Sequence, residues 1–139
     1  MRFMILVKAN DESEAGVMPT DEALWEKMSR YHEELARAGA LLDASGLHAT
    51  SRGWRVRYSG DRRTVVDGPF TETKELVAGY TIIQVSSREE ALEWTRRFPN
   101  PAQWDGDGEI EVRQLLELED FEPGPGVERF REMKLPSQQ

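Results

Sequence analysis

The chain has no cysteine among its 139 residues. That excludes a disulfide framework, a thiolate nucleophile and any cysteine-based metal site, and it suits a reducing, cytoplasmic setting. Histidine is nearly absent as well, with His32 and His48 alone, and neither HxH nor HExxH spacing occurs. No metal centre and no cofactor is therefore expected. Long apolar runs are missing. Met1 to Val7 is apolar but short, acidic residues follow it, and nothing nears the roughly 20 residues of a membrane span. Positive charge is in deficit: 18 basic against 26 acidic residues give a net charge of -8. A nucleic-acid surface would carry a basic face, so that partner class is not expected. GxSxG, Walker and dinucleotide-binding patterns are lacking too.

What is present is one domain's length of chain with 38% hydrophobic residues, enough for a core without staples. Met1 to Lys8 reads as a strand with Phe3, Ile5 and Val7 on one face and Met4 and Leu6 on the other. Apolar residues on both faces predict a central strand covered on both sides. Asn10 to Pro19 reads as a polar loop. A helix opens at Thr20 or Asp21 and runs to about Ala38, because Leu24, Met28, Tyr31, Leu35 and Ala38 recur at helical spacing. Gly39 stops it, and Leu41 to Leu47 is a second strand.

Trp54, Val56 and Tyr58 alternate with Arg55 and Arg57, and Ser59-Gly60-Asp61 turns this strand back into Arg63 to Asp67. The hairpin is expected to extend the sheet or lie at its edge. Gly68-Pro69 then breaks the strand, with Gly68 supplying φ > 0 and Asp67 accepting from an amide two residues on. Phe70 anchors the turn. Thr71 or Thr73 caps a short helix through Val77 that Gly79 stops, and Tyr80 to Val85 is a strand. Ser87 with Glu90 forms a capping box for a helix that ends near Phe98, and Glu109 to Leu118 is the last strand. The order is β-α-β, an inserted hairpin, then β-α-β, over residues 1–118. Residues 119–139 form a tail in which Pro123-Gly124-Pro125-Gly126 is a linker and Val127 to Lys134 a further helix that frays or docks on a partner protomer.

Asp67-Gly68-Pro69-Phe70, with Glu72, Thr73, Lys74, Glu75 and Gly79-Tyr80, resembles the signature of the DGPF-domain branch of the YCII-related family. Ala38-Gly39 with Leu42, Gly46-Leu47, Ala91, Glu93 and Trp94 with Pro99, and Glu111-Val112-Arg113 add to the resemblance. It implies a ferredoxin-like α+β protomer that pairs into a dimeric α/β barrel. Some DGPF-domain proteins are encoded beside extracytoplasmic-function sigma factors, which implies a link to such a partner. The wider family includes proteins with a histidine on the first helix, proposed to work with an aspartate. Counting back from Leu41-Leu42, that position is Met28 here, so the dyad does not carry over.

Three functional classes fit: a regulatory homodimer, a cofactor-free small-molecule enzyme, and a small-ligand-binding module. The candidate catalytic residues are Asp67 and His48. Asp67 closes a strand, His48 follows one, and strand ends are where pockets open. The candidate ligand-binding residues are Glu72, Lys74, Tyr80 and Arg113, with Lys74 neutralising a carboxylate and Arg113 paired to Glu111 or Glu117 or to a bound anion. Asp67 is the alternative partner for Arg113, and a pocket is expected near it. Trp25, Trp54, Trp94 and Trp104 are assigned to core and interface. His32 shares a helix flank with Trp25 and is read as a helix-edge residue.

Overall fold

The computed structural model describes residues 1–135. The strands are β1 (Arg2–Lys8), β2 (Leu41–Gly46), β3 (Trp54–Ser59), β4 (Arg62–Asp67), β5 (Val77–Gln84) and β6 (Ile110–Gln114). The α-helices are α1 (Asp11–Glu14), α2 (Glu22–Arg37), α3 (Arg88–Arg96) and α4 (Pro125–Met133). The architecture is α+β and ferredoxin-like, with a four-stranded antiparallel sheet in the order β2-β5-β1-β6.

β1 is a central strand because both of its faces are apolar. Phe3 lies opposite Ile83 and Ile5 opposite Thr81, and this face carries α2 and α3. Ile5, Ile83 and Leu35 are fully buried, with Phe3, Tyr31, Val85 and Ala91 around them and Trp94 and Phe98 packed on the cluster. The opposite face holds Met4, Leu6 and Ile82, all half-buried, beside Glu111 and Arg113 of β6. Within one chain, then, the sheet is covered on one side, whereas the sequence pattern predicts cover on both.

The helix boundaries follow local chemistry. Asp21 is the cap of α2 and accepts from the Ala23 and Leu24 amides; Gly39 beyond the end has φ 71°. Ser87 Oγ accepts from Glu90 N, while the Glu90 carboxylate takes the Ser86 amide, one residue outside the expected box. The Asn10 to Pro19 segment is not wholly loop: Asn10 and Ser13 cap each other to make the one-turn α1.

The inserted hairpin differs from expectation. β3 and β4 form a separate two-stranded ribbon, turned by Gly60 at φ 59°, rather than an edge of the main sheet. The segment after the ribbon also differs. Thr73–Glu75 is a single 3₁₀ turn without a side-chain cap, and β5 begins at Val77. Gly79 sits inside β5 opposite Gly46, where an added Cβ would lie 3.1 Å from the Ser45 carbonyl oxygen. Close strand approach, not helix termination, explains that glycine.

Gly68 is likewise a packing glycine. It is not among the residues with positive φ. A Cβ there would lie 2.6 Å from the Thr50 carbonyl carbon and closer still to its oxygen, so the Thr50–Ser51 backbone fills that space. The peptide to Pro69 is cis. The expected Asp67 turn bond has no donor, because two residues on lies Pro69, which has no N–H. The next amide, Phe70 N, donates to Thr50 Oγ1 at 3.0 Å, and Thr50 donates through N and Oγ1 to Glu14 at 3.0 and 2.6 Å. The Asp67-Gly68-Pro69-Phe70 turn is thus a latch that joins the ribbon to Thr50 and α1.

A cleft between the second helix and the sheet

On the helix side of the sheet a wide cleft of about 1760 Å³ opens beside α2. Leu24, Trp25, Met28 and His32, on one flank of α2, form one wall. The end of β2 and the Leu47 to Arg52 segment form the opposite wall, and Val7, Gly79 and Thr81 lie beneath. The chain from Asn10 to Pro19, the Thr71 to Glu75 segment and Pro101 to Gln103 complete the rim.

The rim is fixed by side-chain bonds. Gln103 Oε1 accepts from the Thr20 and Asp21 amides at 2.7 and 3.0 Å, and its Nε2 donates to Glu12 at 2.9 Å. Asp21 also accepts from Trp104 N at 2.8 Å, which holds Trp104 and Asp105 in left-handed backbone. One acidic cap therefore anchors both α2 and the rim.

His32 joins α2 to the sheet. Its Nδ1 lies 2.8 Å from the Met28 carbonyl, which can only accept, so Nδ1 carries the proton. In the neutral ring Nε2 then accepts from Thr81 Oγ1, also at 2.8 Å, on buried Thr81. Both ring nitrogens are used within the fold.

Four of the six candidate residues border the cleft: His48, Glu72 and Lys74, and Tyr80 with its ring turned away. His48 is exposed and stands beside Arg52, whose Nη1 is 3.4 Å from either ring nitrogen. Glu72 pairs with Arg55 at 3.8 Å, and Arg55 stacks on the Phe70 ring at 3.7 Å. Lys74 and Glu75 are exposed on the 3₁₀ turn. Tyr80 sits at the edge. Its neighbour Thr81 faces α2, so the Tyr80 ring projects from the other face, where its hydroxyl donates to Asp43 at 3.1 Å. That bond holds the phenol pKa above its ordinary value.

Asp67 and Arg113 lie outside the cleft lining. Asp67 is exposed at the base of the ribbon opposite Trp54. Arg113, on the open sheet face, is 70% exposed and pairs with Glu111 at 3.4 Å. Glu117 instead pairs with buried Arg2 at 2.8 Å. Arg113 thus has no buried charge to be matched by Asp67 or an anion. Among the tryptophans Trp94 joins the core; Trp25, Trp54 and Trp104 are exposed, and Trp25 lines the cleft. Sequence reasoning passed over Trp25, Met28 and Thr81 as site residues. The seven-residue spacing of Trp25 and His32 on one flank was the available signal. Among the described residues no cluster of potential metal ligands occurs, and no helix is long and apolar enough to cross a membrane.

Comparison with known proteins agrees with the fold and the motif. The YCII-related domain family matches residues 1–119. An uncharacterized protein of Rhizobium meliloti (strain 1021) is 34% identical over 108 residues, which cover 76% of this chain and 86% of that protein. With the family match spanning most of the chain, the protein belongs to the YCII-related family.

Proposed function

We propose that the protein is a homodimer that binds a small organic ligand in the cleft beside α2, in a regulatory rather than catalytic role. The observation that carries the ligand reading is the cleft itself, with Leu24, Trp25, Met28, Leu47 and Phe98 along it. Ligand sites are concave and mostly apolar, typically about 300–1,000 Å³; this cleft exceeds that range because its mouth is open. The homodimer reading is supported by Met4, Leu6 and Ile82 on the uncovered sheet face and by the exposed apolar stripe of the ribbon. Face-to-face pairing of two such sheets would form a dimeric α/β barrel. Cytoplasmic residence and a sigma-factor partner belong to this proposal and rest on the absence of cysteine and on family resemblance.

The enzymatic alternative, Asp67 acting with His48 or Arg113, has less support. Neither Asp67 nor Arg113 lines the cleft, and His48 is an exposed rim residue. Two measurements test the main reading. Sedimentation at micromolar concentration is expected to give a dimer, and a folded monomer there would refute that half. Nile red, a neutral apolar dye, is expected to brighten on binding. Met28→Arg in the cleft wall should abolish the gain and Val65→Arg on the ribbon should not; the reverse pattern sinks the cleft reading.

A further inference from the structure

We infer that the cleft selects an organic cation, a molecule with an apolar body and a protonated amine. This rests on the cleft being a ligand site and adds the chemical class of the ligand.

The first ground is the state of the donors. Trp25 Nε1 donates to the Pro19 carbonyl at 3.1 Å. His32 Nδ1 is committed to Met28, and the Thr81 hydroxyl proton to His32 Nε2. The Ser29 and Ser45 hydroxyls donate to the Glu26 and Gly46 carbonyls, and Gln103 Nε2 donates to Glu12. The protons named here are turned into the fold, and what the Ser29, Ser45 and Thr81 hydroxyls still offer a ligand is oxygen lone pairs. An ammonium group has donors and no acceptor, so it complements such walls. A carboxylate would turn instead to Lys8, Arg52 or Lys74, which also line the cleft and are outnumbered by its carboxylates.

The second ground is charge. The lining carries six carboxylates, Asp11, Glu12, Glu72, Glu75, Asp107 and Glu109, against three cations, Lys8, Arg52 and Lys74. That leaves an excess of three negative charges on the walls. Arg55 offsets Glu72 from outside the lining, and Glu111, also outside it, lies 3.6 Å from Lys8. The third ground is Trp25, half exposed on the apolar wall, whose ring face attracts a cation. Donor state, charge and aromatic character all favour the same ligand class.

The test is calorimetric titration of the full chain at low salt with three probes of one shape: phenethylamine, phenethyl alcohol and phenylacetate. The amine is expected to bind about tenfold more tightly than the carboxylate, a difference of about 1.4 kcal/mol, with the alcohol between them. Asp107→Asn with Glu75→Gln, both exposed positions, should weaken the amine several-fold and leave the alcohol unchanged. Added salt should also weaken the amine alone. Phenylacetate binding as well as the amine, or an amine affinity untouched by the double substitution, overturns the cation assignment while the cleft stands as a site. Failure of all three probes to bind overturns both.

Discussion

The four-stranded sheet and the β3–β4 ribbon are built from similar residues and held in different ways. In the sheet, Ile5 and Ile83 are fully buried beneath two helices. In the ribbon, Trp54, Tyr58 and Val65 keep about two thirds of their surface exposed. Two strands alone are marginal in water, so the ribbon depends on its attachments. Those are Arg55 stacked on Phe70 and paired with Glu72, the Gly68 amide bonded to the Gly53 carbonyl, and the close seat of Gly68 against Thr50. Alternation of apolar residues specifies a strand; what covers the strand is decided elsewhere in the chain.

The largest expected difference between the two regions is in stability. Leu35→Ala removes a fully buried side chain and should cost about 3 kcal/mol. Val65→Ala on the ribbon should stay within about 0.5 kcal/mol, as exposed positions do. Urea unfolding measures both. If Val65→Ala costs nearly as much as Leu35→Ala, the ribbon is covered in solution, and a second copy of the chain is the first candidate for the cover.

The latch sets the next effect. Gly68→Ala places a methyl group into the Thr50 backbone and should cost about 1–3 kcal/mol. Gly126→Ala in α4 meets nothing within 4 Å and should be neutral or stabilising by about 0.5 kcal/mol. Equal melting temperatures for the two variants would contradict the latch. Thr50→Val probes the same joint from the other side. It removes the hydroxyl that donates to Glu14 and accepts from the Phe70 amide, at an expected cost of about 1–2 kcal/mol. A loss confined to a local opening of the ribbon, seen by amide exchange in β3 and β4, would sharpen the comparison further.

These positions also show what the sequence could express. The central place of β1 was legible because Phe3 and Ile5 alternate with Met4 and Leu6. The caps Asp21 and Ser87 and the stop at Gly39 were legible because each depends on adjacent residues only. The roles of Gly68 and Gly79 were not, since both depend on a backbone far away in sequence, Thr50 for one and Ser45 for the other. The cleft was half legible. His48, Glu72 and Lys74 border it and Tyr80 meets it with its ring turned to the other sheet face, but Asp67 and Arg113 were placed there on strand ends and charge matching, and the fold puts one on the ribbon and the other on the open sheet face. Trp25 and His32 showed only a shared helix flank; that the flank faces a cleft is a fact of three-dimensional packing.

The smallest of these effects at neutral pH separates the regions by pH instead. Tyr31 lies on the core face of α2, and its hydroxyl donates to the Trp94 carbonyl of α3 at 2.8 Å. Burial pushes its phenol up to about 12 from an ordinary 10.0, with nearby Arg97 opposing and Glu34 assisting. The unfolded chain ionises this group first, so its contribution is whole below about pH 10 and declines as pH rises toward 12. Tyr31→Phe should cost about 1 kcal/mol at neutral pH through the lost hydrogen bond and should flatten the alkaline decline. Tyr58→Phe on the exposed ribbon should change neither. Urea midpoints measured at neutral pH and across the alkaline window decide it. An alkaline decline of the same slope in Tyr31→Phe and in the parent chain would remove Tyr31 as its source and would leave the core and the ribbon alike in their response to base.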